Sequence, residues 1–171
     1  MRGSRVAISA DAFREVFATQ YDDLTRFVRR RSEPDHAEDV VEETFLALWR
    51  QRRMPAQVRP WLFTTARNLM LNAARSHRRR EALAVRIAGD SGTDVADHSH
   101  DADLRMDLIT AWRALSAADQ EVLALALWED LPPAEAAVVL GCSRAAYLMR
   151  LSRAKARITP LLGRTRPVAA L

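Results

Sequence analysis

Arginine without nearby acid is the reactive feature of this chain. Arg67, Arg75, Arg78, Arg79 and Arg80 lie in a segment with no Asp or Glu between Phe63 and Glu81. A guanidinium is always charged, and its planar fork matches phosphate and guanine edges bidentately. The chemistry this supports is recognition of a polyanion, with nucleic acid as the first candidate. The plainer alternative is a surface helix with a solvated basic end. Asp97-His98-Ser99-His100-Asp101 supplies metal-ligand types at close spacing. That cluster sits in an acidic low-complexity stretch with no supporting second set of ligands, so no metal site is expected. His36, His77 and Cys142 are too scattered to complete one. There is no nucleophile–base pair and no glycine-rich phosphate loop. The sequence therefore predicts a binding protein without a cofactor rather than an enzyme, and a metal-dependent enzyme built on His98 and His100 is the disfavoured alternative.

A helix must carry the arginines. Pro60 suits the first turn, where its missing N–H is not needed. Trp61, Leu62, Thr65, Leu69, Asn72 and Ala73 recur at helical spacing and mark a buried face. The segment upstream has the opposite sign. Between Glu33 and Trp49 there is no Lys or Arg. Ala37, Val40, Val41, Phe45, Leu48 and Trp49 form the apolar face of a helix from about 36 to 50, while Glu38, Asp39, Glu42 and Glu43 occupy its other face. Asp35 is the expected N-cap, with Glu38 completing a capping box. An earlier amphipathic helix spans 11–31, with Phe13, Val16, Phe17, Tyr21, Leu24, Phe27 and Val28 at the required intervals.

The second half repeats the theme. The stretch 89–103 contains five aspartates and almost no large apolar residue, and reads as a flexible acidic linker and domain boundary. Helical periodicity resumes at Leu104. Ser116 is the expected cap of a helix ending near Trp128. Pro132-Pro133 opens a short helix closed by Gly141 in a left-handed C-cap. Ser143 then caps a last helix to about 162. Two helices joined by so tight a turn read as a helix-turn-helix, whose second helix can enter a major groove. From Arg144 to the C-terminus there are seven basic and no acidic residues.

Composition fits these readings. The chain has 171 residues, 49% of them hydrophobic, a net charge of +4 and a single lysine, Lys155. One cysteine, Cys142, excludes an internal disulfide. No apolar run is long enough to span a bilayer, and no signal peptide is evident, so a cytoplasmic protein without membrane insertion is expected. No segment alternates with period two. The fold class is all-α: two small helical domains, 11–88 and 104–163, with a leader (1–10), the linker (89–103) and a tail (164–171). The terminal Ala169-Ala170-Leu171 reads as a plain tail, with a degradation signal as the alternative.

Three stretches together resemble the sigma factors of bacterial RNA polymerase, in the small extracytoplasmic-function (ECF) group of the sigma-70 family. Ala37-Glu38-Asp39-Val40-Val41-Glu42-Glu43-Thr44-Phe45-Leu46-Ala47-Leu48-Trp49 is similar to the family's polymerase-clamp-binding helix. Trp61-Leu62-Phe63-Thr64-Thr65-Ala66-Arg67-Asn68, running on to Arg80, is similar to its −10-element helix. Leu115-Ser116-Ala117-Ala118-Asp119-Gln120-Glu121-Val122-Leu123, the helix-turn-helix and Arg150-Leu151-Ser152-Arg153-Ala154 resemble its −35-element domain. The likeness runs from Phe13 to Leu162 in the family's order and spacing.

The resemblance implies a role for each charged face. Asp39, Glu42, Glu43 and Leu46 would bind core RNA polymerase. Arg52, Arg53, Arg59, Trp61, Arg67, Asn68, Arg75, Arg78, Arg79 and Arg80 would meet the opened −10 element of promoter DNA. Trp61 serves either as a stacking surface or as core, and Asn68 either as a polar reader or as a helix–helix hydrogen-bonding group. Ser143, Arg144, Tyr147, Leu148, Arg150 and Arg153 would meet the −35 element, with helix packing as an alternative for Arg150. An anti-sigma factor is a further implied partner. Three departures stand out. Glu42 replaces a usual glutamine, and Asn72 a common acid. Ala146-Tyr147-Leu148-Met149-Arg150 stands where Thr-Val-Lys-Ser-Arg is usual. Leu148 and Met149 thus leave open an unusual −35 sequence, or a sigma-like regulator acting mainly through protein partners.

Overall fold

The computed structural model describes residues 8–32, 34–84 and 108–163, without the side chains of Pro34, Asp35, 76–84 and Gly163. Every regular element among these residues is helical. They form two clusters, three helices before the linker region and four after it.

The first cluster comprises α1 (Ala10–Arg29), α2 (Pro34–Trp49) and α3 (Val58–Ala84). Ser9 caps α1: its hydroxyl accepts from the Ala12 amide at 3.2 Å, and its carbonyl accepts from Phe13 at 3.0 Å. This satisfies amide donors that the first helical turn leaves without a partner. The helix α2 begins at Pro34, so Asp35 lies within the helix and is not its N-cap. Proline breaks a helix from inside, but its fixed φ suits the first turn, and that property prevails here. The core of the cluster is Leu24, Phe27 and Val28 of α1, Val41, Phe45 and Leu48 of α2, and Leu62, Phe63 and Ala66 of α3, all buried. Phe27 and Phe63 meet at 4.5 Å between ring centroids. Thr44 is also buried, and its hydroxyl donates to the Val40 carbonyl at 2.7 Å, so the polar group is satisfied within its own helix.

The second cluster comprises α4 (108–113), α5 (Ala117–Leu127), α6 (Pro133–Val139) and α7 (Arg144–Gly163). Leu115, Leu123 and Ala154 form a buried centre, with Trp112, Leu151, Ile158 and Leu161 packed against it. Ser116 caps α5 as expected, accepting from the Asp119 amide at 3.1 Å. Gly141 adopts φ +60°, the left-handed conformation that costs glycine little. The Cys142 amide donates to the Ala137 carbonyl, and the Gly141 amide to that of Val138, both at 3.0 Å. This reciprocal pair closes the last orphan carbonyls of α6 and turns the chain sharply. Ser143 then caps α7, its hydroxyl accepting from the Ala146 amide at 3.1 Å.

The leader up to residue 7, the 89–103 segment with Asp97, His98, His100 and Asp101, and the 164–171 tail lie outside the described residues. Among those described, no helix is long and apolar enough to cross a membrane.

Candidate nucleic-acid and polymerase interface

The helix α2 separates its two faces cleanly. Ala37, Val40, Val41, Thr44, Phe45 and Leu48 are buried. Asp39, Glu42, Glu43 and Leu46 are exposed, and they fall at i, i+3, i+4 and i+7. Four residues at that spacing share one stripe, so the acidic face is continuous and ends in an apolar contact point. Leu46 is 50% exposed and Trp49 48%. Trp49 packs edge-on against Phe13 at 5.1 Å, and Phe17 meets Phe45 at 4.7 Å. Trp49, three residues beyond Leu46, thus joins an aromatic cluster between α1 and α2. Trp49 is half in solvent rather than fully in the core. Glu38 turns toward α1, 3.9 Å from Arg29.

The neighbouring helix α3 carries the arginines. Arg52 and Arg53 are exposed in the loop that precedes it. Arg59 is held: its Nη2 lies 3.3 Å from an Asp23 carboxylate oxygen on α1, and its guanidinium sits 5.5 Å from the Phe63 ring centroid. A side chain fixed at both edges presents its remaining surface in a defined direction, so Arg59 is pre-positioned, whereas Arg52 and Arg53 are exposed points of charge. Trp61 and Arg67 are half-buried, while Asn68 and Arg75 are exposed. The exposure of Asn68 leaves it available to meet a ligand. Arg78, Arg79 and Arg80 lie on the helical backbone of α3, but their side chains are outside the described residues.

In the second cluster, Ser143 and Arg144 stand at the exposed start of α7. Leu148 is 40% and Met149 56% exposed, and Arg150 and Arg153 are exposed. Tyr147 departs from its expected role. It is fully buried. The reason is its phase on the helix: Tyr147, Leu151, Ala154 and Ile158 recur at i, i+4, i+7 and i+11, the stripe that faces the core. Burial pushes its phenol pKa above the usual range, with the nearby Cys142 thiol adding to the shift. Tyr147 therefore supports α7 from within and does not present itself to DNA. Arg150 is exposed.

The pattern of charges alone did not reveal two tethers. Asp23 positions Arg59 from 36 residues away, and Arg157 reaches Asp119 across 38. Neither pair has a local sequence signature. Tyr147, by contrast, was legible in the stripe it shares with Leu151 and Ala154.

The model of sigma-70 region 2 matches residues 16–80, and that of sigma-70 region 4 matches residues 105–158. The chain is 26% identical to the ECF RNA polymerase sigma factor SigM of Bacillus subtilis, over 88% of this chain and 94% of that one. It is 30% identical to the RNA polymerase sigma factor CnrH of Cupriavidus metallidurans, over 73% and 72% of the two chains. A probable RNA polymerase sigma factor of Xanthomonas campestris, RfaY, is 34% identical over 71% of this chain, which spans only 33% of that relative's length. Among solved structures, the sigma factor RpoE of Bartonella quintana, in complex with the anti-sigma factor NepR, superposes with a TM-score of 0.67 at 25% identity, covering 92% of this chain and all of that one. Region 2 falls on the cluster with the opposed charged faces, and region 4 on the cluster with the sharp turn before α7; the chain belongs to the ECF group of the sigma-70 family of RNA polymerase sigma factors.

Proposed function

We propose that this sigma factor joins core RNA polymerase through the Asp39, Glu42, Glu43 and Leu46 stripe and directs it to promoters by reading both −10 and −35 elements. The observation that carries this reading is the opposition of charge between two packed helices. The acidic stripe of α2 faces outward beside an arginine-bearing α3, and the cross-helix pairs Arg29–Glu38 and Arg59–Asp23 leave that stripe exposed. A solvated acid–base surface would be expected to turn its acids toward neighbouring cations, whereas Asp39, Glu42 and Glu43 point outward together, as a surface built for a partner holds them.

In this reading residues 11–88 form the polymerase- and −10-binding domain, and residues 104–163 the −35-binding domain. Arg52, Arg53, Arg59, Arg67 and Arg75 hold the displaced strand, and Arg78, Arg79 and Arg80 extend the phosphate contact. Trp61 is half-buried, which leaves one part of the ring in the core and one part for stacking on an unpaired base. The α6–turn–α7 unit acts as the helix-turn-helix, with α7 in the major groove. The chain performs no covalent chemistry; it contributes binding energy to DNA opening. An anti-sigma factor is proposed as its regulator, since the Bartonella relative was solved with one.

Run-off transcription tests the proposal. Core polymerase with this chain and a cognate promoter should give a product absent with core alone. Equal product with and without the chain would overturn it. DNA affinity should also fall with salt, by about 0.9 log units per phosphate contact for each log unit of salt.

A further inference from the structure

The helix α7 carries a second division of labour, and it lies on the face turned away from the core. Successive residues advance by about 100° around a helix. Ala145, Leu148, Met149 and Ser152 recur at i, i+3, i+4 and i+7 and are all exposed. This strip lies opposite the inward stripe of Tyr147, Leu151, Ala154 and Ile158. It contains no charge. Cations flank it on both sides: Arg144 and Lys155 along one edge and Arg153 along the other, all exposed, with Arg150 set further round toward the buried side. The outermost line of the helix is therefore apolar or small, and it runs between basic residues on either side.

We infer that Leu148 and Met149 read thymine in the −35 element, by packing on the 5-methyl groups that thymine alone presents in the major groove. This rests on the reading of α7 as the groove-entering helix. The groove is about 12 Å wide and accepts one α-helix, with a phosphate backbone on each side. Cations on both edges fit those two backbones, while the central strip meets the base edges. Leucine and methionine offer no hydrogen-bond donor to a base, so every base leaves its groove-edge polar groups unpaired against them, and only thymine sets a methyl against that cost. A thymine methyl is instead buried favourably against either side chain. Charge on both flanks and none in the middle argues for a duplex occupant, because its two negative strands lie on either side of the uncharged methyl groups. Phosphate contact supplies affinity irrespective of sequence, and the strip supplies the choice of base.

The test uses the full chain assembled with core polymerase. Duplexes are selected from a promoter library randomised upstream, and each thymine of the selected −35 element is then replaced by deoxyuridine. This change deletes the methyl and keeps the base pair and both phosphates. The expected result is thymine enrichment facing α7 and about a fourfold loss of affinity for each contacted methyl, the worth of one buried methylene. In the L148S/M149S variant the deoxyuridine penalty should disappear while the salt dependence stays that of the wild type. The wild-type measurement stands whether or not the variant folds. Deoxyuridine without effect at every position overturns the inference and leaves promoter binding intact. So does a variant that loses a protein partner while keeping the wild-type thymine preference. A wild-type holoenzyme that selects no upstream sequence overturns −35 reading itself.

Discussion

One guanidinium nitrogen of Arg157 donates to both carboxylate oxygens of Asp119, at 2.8 and 2.7 Å, and so ties α7 to the first turn of α5. Asp119 also accepts from the Ser116 hydroxyl at 2.8 Å. That hydroxyl in turn accepts from the Asp119 amide, so cap and tether share one residue. The Asp119 side chain is 11% exposed and that of Arg157 is 59% exposed.

The Ser116 hydrogen bond first, and then the Arg157 hydrogen bond and charge, hold the Asp119 pKa below the usual carboxylate range, against the opposing effect of burial. A carboxylate depressed in the folded state stabilises fully above its unfolded pKa and loses that contribution as pH falls through the folded value. The second cluster should therefore be insensitive to pH near neutrality and weaken in acid, below the ordinary range for aspartate. Asp119→Ala should cost about 1–2 kcal/mol, the usual range for a lost cap partner and a screened charged hydrogen bond. Thermal melts of wild type and variant across acid pH check both expectations: the two curves should converge as pH falls.

Tyr147 gives a paired prediction. Its hydroxyl is buried and has no hydrogen-bond partner among the described residues. Tyr147→Phe removes that polar atom and should stabilise the domain by about 1 kcal/mol. Tyr147→Ala leaves a cavity and should cost about 3–5 kcal/mol. If Tyr147 acts from the core, Tyr147→Phe should also leave DNA affinity unchanged, as measured by fluorescence anisotropy with promoter DNA.

Gly141 isolates a backbone effect. A Cβ added there meets nothing within 4 Å, so Gly141→Ala produces no clash. The left-handed φ of +60° alone should cost about 1–2 kcal/mol. Denaturant titration should show that loss with an unchanged m-value, because the same surface is exposed on unfolding.

Reversing charge on the acidic stripe separates partner binding from folding. Glu42→Lys with Glu43→Lys changes only exposed side chains. Stability should move by less than about 0.5 kcal/mol. Co-elution with core polymerase should fall at least tenfold, with DNA binding by the second cluster retained. Normal co-elution would remove the stripe from the polymerase interface.

The all-α architecture was legible because each helix announces itself twice, in periodicity and in its punctuation. Ser116, Gly141 and Ser143 perform the caps their types suggest. Asp35 was misleading because its type suits an N-cap, yet Pro34 begins the helix one residue earlier, its fixed φ suiting the first turn. At the candidate site, the α2 stripe and the apolar strip of α7 were visible as residue types. Exposure gave them direction. The Asp23–Arg59 and Asp119–Arg157 tethers lie beyond any local pattern, since they depend on how separate helices pack. Tyr147 shows the cost of reading by position alone: Leu148 and Met149, which follow it in sequence, face solvent, while its neighbours by helical phase are core.

That phase relationship on α7 has an evolutionary consequence. The buried stripe that keeps the domain folded and the outward strip do not overlap on this helix. The outward positions, 145, 148, 149 and 152, can therefore drift with little penalty in stability, so a descendant of this chain can change what α7 prefers without first acquiring compensating mutations in the core.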